Sequence, residues 1–395
     1  MKILLLSFYF RPDLSACSFR TTALVDAIKS TAPLGSEIDV ITSLPNRYHS
    51  YLVDAPKTER DGNVSISRIV LPAHKSGLVD QSRAFLTFSR EATRLTDDRD
   101  FDVVFATSSR LMTAVLGAWL ARKHHAKLYL DIRDIFVDTI QDVLPHKVTW
   151  LAEPVLSMLE KWAINRADKV NLVSPGFSDY FRPRYPGRLF SYFTNGVDNE
   201  FTTLSTVASA PVPESIGRPL TVLYAGNIGE GQGLHLIVPA LARSMGSGVN
   251  FRIIGDGGRR SALEAAILAT GVTNVELLQP LDRTGLLKEY RAADVLFLHL
   301  NGHDAFKKVL PSKVFEYAAL GKPVWAGVAG YAAEFVATEI SNSAIFYPCD
   351  VEGAVRSFRA LRFQHTPRPD FLAKYARSNI SKAFAQDILA LVDGR

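Results

Sequence analysis

Cysteine is scarce in this chain. Cys17 and Cys349 are the only two, and they lie far apart in sequence. A disulfide framework is therefore not expected, and the composition fits a reducing cytoplasm. No apolar run approaches the ~18 residues of a membrane span. The opening Met1-Lys2-Ile3-Leu4-Leu5-Leu6-Ser7 is apolar for only about five residues, shorter than the h-region of a signal peptide. Blocks of one charge sign are also missing. The net charge is +5 and the pI about 9.1, with basic residues spread over both halves. That argues against a nucleic-acid partner and is compatible with resting on an anionic membrane. There is no Walker sequence, no Gly-x-Ser-x-Gly elbow and no His/Cys/carboxylate cluster with metal-ligand spacing. Asp98-Arg99-Asp100 spells an acid-x-acid triplet, but it precedes a strand-like run, at the amino end where sites of this class do not form. It reads as a solvated turn.

What the chain does have is alternation. Its 395 residues, 47% hydrophobic and 22% charged, suit a globular protein of two domains. Short β-branched and aromatic runs recur with helical patterns between them. In the first half they cover residues 3–7, 38–42, 64–71, 103–107, 127–132, 169–174 and 189–194. In the second half they cover 220–226, 250–255, 275–279, 295–300, 323–326 and 344–347. Several are almost continuously apolar, as parallel strands covered on both faces must be. The fold class is α/β, with two doubly wound domains whose ligands bind at the carboxyl ends of the strands. Residues 203–218, rich in Ser, Pro and Ala, read as the linker. Pro239 is expected to bend the helix around it or delay its start. In the 74–94 region Phe85, Phe88, Ala92 and Leu95 form an apolar helical stripe, favoured as core over membrane contact.

The most informative segment is Leu310-Pro311-Ser312-Lys313-Val314-Phe315-Glu316-Tyr317, followed by Gly321-Lys322-Pro323. A helix opens at Ser312, with a lysine in its first turn and a glutamate one turn on. Free N–H groups, the helix dipole and a lysine favour an anion such as a diphosphate. A carboxylate one turn deeper can accept hydrogen bonds from two sugar hydroxyls. The plainer alternative is an ordinary amphipathic helix with a solvated Lys and Glu. The run Gly226-Asn227-Ile228-Gly229-Glu230-Gly231-Gln232-Gly233 follows a strand and permits close backbone approach to phosphates, although its spacing is not Gly-x-Gly-x-x-Gly. Gly255-Asp256-Gly257-Gly258 is a second such turn.

The first half offers a loop with small residues Ser15, Ala16 and Ser18, which let a ligand approach closely. Arg20 beside it can pair with phosphate or with an acidic neighbour. The second feature is Asp131-Ile132-Arg133-Asp134-Ile135-Phe136-Val137-Asp138, where a strand runs into charge. Asp131 or Asp134 can bind acceptor hydroxyls or act as a base, and Arg133 can steady negative charge. Mutual ion pairing that only positions the loop is the alternative.

The order Tyr224-Ala225-Gly226-Asn227-Ile228-Gly229, then Ile254-Gly255-Asp256-Gly257, then Ala292-Ala293-Asp294-Val295, then Leu310 to Tyr317, resembles the retaining GT-B glycosyltransferases of family 4. The Asp131 to Phe136 segment and the Tyr9-x-Arg11-Pro12 opening resemble a subgroup that builds bacterial surface polysaccharides, often transferring N-acetylated aminosugars. The resemblance spans nearly the whole chain. It implies two facing domains with an interdomain cleft: residues 1–202 for the acceptor, 219–375 for the donor, and a last helix, 376–395, packing back on the first.

The resemblance also implies a nucleotide-diphosphate-sugar donor, most simply a UDP-sugar, with no cofactor and no obligatory metal. The acceptor would be a growing glycan, lipid-linked at the inner face of the membrane, and the enzyme cytoplasmic or peripheral there. Glu316 matches the ribose-binding glutamate, and Ser312 and Lys313 the helix start near the diphosphate. Gly226, Asn227, Gly229 and Gln232 fall in the diphosphate loop. Ser15 and Ala16 stand where glycines often face the donor, and Gly255 and Leu281 lie near the base pocket. Arg133, Asp134 and Lys313 are the catalytic candidates.

Departures accompany the match. The family's spacing back from Glu316 reaches Lys308, not a glutamate. Asn227 and Gln232 stand where an Arg and a Lys often grip the diphosphate. Arg133 or Asp134 stands where others carry a histidine. Lys307, Lys308 or Lys313 can supply the missing positive charge. Two alternatives stay open: a sugar-nucleotide 2-epimerase of the same architecture, and a non-catalytic binding subunit of a glycan-assembly complex.

Overall fold

The computed structural model describes residues 1–45, 54–72, 78–108, 110–137, 146–201 and 218–393. Asp138 and residues 203–217 of the expected linker lie outside the described residues. The chain divides into two compact units, Met1–Asn195 with Arg377–Arg395, and Gly196–Ala376.

The first unit holds strands β1 (Lys2–Leu6), β2 (Glu37–Ser43), β3 (Thr58–Asp61), β4 (Val64–Ile69), β5 (Val103–Ser108), β6 (Lys127–Ile132), β7 (Lys169–Leu172) and β8 (Phe190–Ser191). They form one sheet in the order β3-β4-β2-β1-β5-β6-β7-β8. All neighbours are parallel except β3 and β4, which pair antiparallel with Glu59 opposite Ile66. β5 is buried along its whole length, which explains its run of apolar residues from Val103 to Ala106. β3 reads Thr-Glu-Arg-Asp and has no apolar signature, so the sequence pattern missed it. It is the sheet's edge, and charged side chains there discourage pairing with another chain.

The helix Arg377–Asp393 belongs to this first unit. Phe384, Ala385, Ile388 and Leu389 join a core with Leu5, Ile28, Val40, Phe105 and Tyr129. Asp387 accepts hydrogen bonds from Tyr129 Oη at 2.6 Å and Lys169 Nζ at 2.5 Å. The helix Leu78–Thr96 carries the apolar stripe noted above, and Ala84, Phe85, Phe88 and Ala92 are buried. Phe88 packs on Phe8 with ring centroids 5.2 Å apart.

The second unit holds β9 (Leu220–Ala225), β10 (Val249–Ile254), β11 (Val275–Leu278), β12 (Val295–His299), β13 (Val324–Gly327) and β14 (Ser343–Phe346). Its order is β11-β10-β9-β12-β13-β14, and every pair is parallel. Strand order reverses between β9 and β12, so the loops leaving those two strands flank the crevice where such sheets bind ligands. Apolar cores cover both faces. Packing changes hands before composition does. Phe201 is fully buried in the second unit's core, and the Val197 N–H donates to the Tyr375 carbonyl at 2.8 Å. The helix Leu234–Met245 begins ahead of Pro239 and contains it, so the proline does not delay the start. One intrahelical bond to the His235 carbonyl is forgone instead.

Candidate functional site

Two glycine turns stack at the carboxyl ends of β9 and β10. The Gly226 N–H donates to the Ile254 carbonyl at 2.8 Å, and the Ile228 N–H to the Asp256 carbonyl at 2.8 Å. A Cβ on Gly255 would stand 1.8 Å from the Gly226 carbonyl oxygen, and one on Gly257 2.6 Å from that of Ile228. Gly255 also has φ +150, so both sterics and backbone require glycine there.

The helix Lys313–Ala319 is tied to the same place. The Ala225 N–H donates to Tyr317 Oη at 3.2 Å, fixing the helix on the end of β9. Lys313 then lies across Gly226, where an added Cβ would meet its Cε at 2.1 Å. Burial pushes the Lys313 ammonium below the ordinary lysine value; Glu316 pulls it back up and Arg283 pushes it further down. Ser312 precedes the helix in a helical conformation, and its side chain makes no capping bond. With only seven residues the helix offers a weak dipole, and the side-chain cations Lys313 and Arg283 stand beside Glu316. Glu316 is 9% exposed; its Oε2 accepts from Tyr290 Oη at 3.0 Å, and Arg283 Nη1 stands 3.7 Å from its Oε1.

Asn227 and Gln232 are engaged with each other. Asn227 Nδ2 donates to Gln232 Oε1 at 2.8 Å, and the Gly229 N–H joins the same oxygen at 3.2 Å. They shape the loop. Below it, His299 at the end of β12 was not anticipated from sequence. The Cys349 N–H donates to His299 Nε2 at 3.1 Å, so Nδ1 carries the proton and donates to the Gln232 carbonyl at 2.7 Å. Burial pushes His299 down to about 4, against the raising effect of the Gln232 bond. The ring stays neutral near pH 7 and braces the glycine loop. Leu281 is partly buried against the core and precedes Asp282, whose side chain caps the next helix through the Gly285 N–H at 2.8 Å.

In the first unit, the sequence reading of Asp131 is corrected. Asp131 is 1% exposed and receives Arg20 Nε at 3.1 Å, Arg20 Nη2 at 3.0 Å, Thr107 Oγ1 at 3.1 Å and Asn171 Nδ2 at 2.8 Å. Its lone pairs are occupied and it has no access to an acceptor, so it is structural. Arg20 likewise serves the fold, donating also to the Phe193 and Thr194 carbonyls at 2.7 and 2.6 Å. Arg133 differs. Its backbone N–H reaches Ser108 Oγ at 3.2 Å, and its Nη1 is buried without a hydrogen-bond partner among the described residues. Asp134 beside it is exposed. Ser15 caps the helix Ala16–Thr31 by accepting from the Ser18 N–H at 3.1 Å, and Ala16 is that helix's first residue.

The second unit thus gathers Gly226, Asn227, Gly229, Gln232, Gly255, Ser312, Lys313 and Glu316, while Ser15, Ala16, Arg133 and Asp134 belong to the first. Two family models match this chain: a glycosyl transferase 4-like domain over residues 21–188, and glycosyl transferases group 1 over residues 210–378. The chain belongs to the GT-B glycosyltransferases of the family 4 type.

Solved structures share this architecture. Sucrose-phosphate synthase from Thermosynechococcus elongatus superposes with a TM-score of 0.78 at 15% identity, covering 100% of both chains. Anabaena HepE in complex with UDP gives 0.64 at 17% identity, over 99% of this chain and 100% of that one. The lipopolysaccharide outer core galactosyltransferase WaaB gives 0.61 at 14%, over 99% of each. The glycosyl transferase WcaI of Escherichia coli K12, named for colanic acid biosynthesis, is 33% identical over 100 residues, 25% of this chain and 24% of its own length. Among the described residues of the glycosyltransferase, no group of three or more His, Cys, Asp or Glu is placed to hold a metal. No described helix is long and apolar enough to cross a membrane.

Proposed function

We propose that the chain transfers a sugar from a UDP-sugar to a growing surface glycan. One observation carries the reading. Lys313 lies over a stack of two glycine turns, with Glu316 one helical turn further on. In this reading the diphosphate rests on the 226–233 loop against the Lys313 ammonium. The Glu316 carboxylate accepts from the ribose hydroxyls, and Leu281 and Gly255 border the base. As the glycosidic bond breaks, charge grows on the diphosphate, and a preorganised ammonium stabilises that charge more than the ground state. Retention of configuration fits a front-face departure in which the diphosphate helps deprotonate the acceptor. Arg133, with an unpartnered Nη1, is the first unit's candidate for steadying negative charge, and Asp134 its candidate for the acceptor hydroxyl.

The UDP of the Anabaena complex and the colanic acid name of the E. coli relative support a UDP donor and a surface-polysaccharide product. An N-acetylhexosamine donor, a lipid-linked acceptor and a cytoplasmic site at the inner face of the membrane complete the proposal. The test is a thermal-shift screen of nucleotide-sugars, followed by turnover with lipid-linked acceptors. Stabilisation by UDP-N-acetylhexosamines and acceptor-dependent UDP release are expected. Release of UDP and a modified sugar without acceptor would favour the epimerase. Donor binding without turnover across an acceptor panel would favour a binding subunit.

A further inference from the structure

Arg283 and Tyr290 stand two helical turns apart on the helix Arg283–Ala292, and both reach Glu316. The two contacts differ in kind. Tyr290 Oη donates to Oε2 at 3.0 Å, whereas Arg283 Nη1 stops 3.7 Å from Oε1, beyond hydrogen-bond reach. Arg283 hydrogen-bonds elsewhere: Nη2 meets Asp198 at 3.0 Å and Nε meets Glu200 at 2.7 Å, with the guanidinium 4.4 Å over the Phe201 ring. Tyr290 is fully buried, its ring held edge-on to Tyr317 at 5.7 Å and against Phe201 at 6.0 Å.

An ionised carboxylate offers about four lone-pair positions. Tyr290 takes one, and Arg283 supplies charge without taking any. Glu316 is thereby fixed in orientation and kept company by a cation, yet retains acceptor capacity. A carboxylate serving only the fold would close on its arginine as Asp131 does on Arg20. We infer that Arg283 and Tyr290 are positioning residues that hold the Glu316 carboxylate ready to accept the ribose hydroxyls of the donor. The inference rests on the ribose role of Glu316 proposed above.

The experiment is calorimetric binding of UDP and of 2′,3′-dideoxy-UDP to the full chain and to Arg283→Met, Arg283→Lys and Tyr290→Phe. The wild type should prefer UDP by about tenfold or more, as a hydrogen bond to a charged group requires. Arg283→Met and Tyr290→Phe should lose most of that preference, with dideoxy-UDP affinity unchanged, and Arg283→Lys should restore part of it. Equal wild-type affinity for the two ligands would overturn the ribose role of Glu316 itself. A wild-type preference retained in full by the variants would leave that role standing and overturn the positioning inference. So would equal weakening of both ligands, the mark of a general structural effect. Should Arg283→Met fail to fold, Tyr290→Phe, which deletes one oxygen, decides between the same outcomes.

Discussion

Lys313 and Gly226 occupy one place from two directions. The lysine's Cε fills the volume where a Cβ of residue 226 would stand, only 2.1 Å away. This glycine is needed for the lysine's position, since Cε lies near the free end of a flexible side chain and can move aside. Gly255 is different: its Cβ would strike the Gly226 backbone carbonyl at 1.8 Å, and a backbone cannot step aside cheaply.

The two glycines therefore predict different phenotypes, ligand affinity being the main loss at residue 226 and stability at residue 255. Gly226→Ala should lose most of its affinity for UDP, because Lys313 is displaced, and some stability, because residue 226 has φ +159. Gly255→Ala should be destabilised by about 1–3 kcal/mol or more, the cost of forced overpacking. Chemical denaturation and UDP titration of both variants check this. Wild-type UDP affinity in a folded Gly226→Ala protein would remove Lys313 from the donor site.

The pH dependence of donor binding follows from the same lysine. Burial holds the free Lys313 ammonium below its ordinary value of 10.5, with Arg283 adding to the effect and Glu316 opposing it. A bound diphosphate favours the charged form, so affinity is greatest while Lys313 is protonated. It should fall as pH rises through the depressed value. Lys313→Arg keeps its charge and should lack that alkaline limb. Measuring UDP affinity in both proteins isolates the lysine, because titration of the base is common to the two. Parallel profiles would mean that Lys313 does not face the diphosphate.

How much of this was legible beforehand depended on the kind of signal. Buried parallel strands announce themselves as apolar runs, and β1, β5, β9 and β12 were all readable. β3 was not, because an edge strand of Thr, Glu, Arg and Asp carries no apolar pattern. The glycine turns and the Lys313–Glu316 spacing are local in sequence and were visible. Arg283 and Tyr290 come from a helix far from Glu316 in sequence, and only the fold brings them there. Asp131 misled because a carboxylate at a strand's carboxyl end reads as functional until its partner is known. That partner, Arg20, lies 111 positions away. His299 hid inside an apolar run, and its bond to the Gln232 carbonyl has no sequence signature.

Metal removal tests the donor model from another side. With Lys313 as the proposed cation at the diphosphate, no ion is needed there. Activity is expected to persist in excess EDTA. An absolute requirement for magnesium or manganese would reject this assignment and return attention to Asp134 and Asp138 as ligands.

The buried pair of Arg20 and Asp131 predicts an acid limb in stability. Burial alone would raise the Asp131 carboxyl, but Arg20, then Arg133 and Asn171, outweigh it and hold it below its ordinary value of 3.8. A depressed folded-state value contributes stability that is present above the unfolded carboxyl's titration and is lost as pH falls through the folded one. Arg20 stays charged throughout, although its own burial works against it. Asp131→Asn leaves that guanidinium buried beside a neutral amide, which should cost about 3–5 kcal/mol at pH 7. The gap between wild type and variant should narrow in acid, where the wild-type carboxyl also becomes neutral. Urea denaturation at neutral and acid pH measures both. A variant as stable as wild type but inactive would restore Asp131 as a catalytic candidate. A constant gap across pH would mean that the stabilisation comes from packing rather than from the charge.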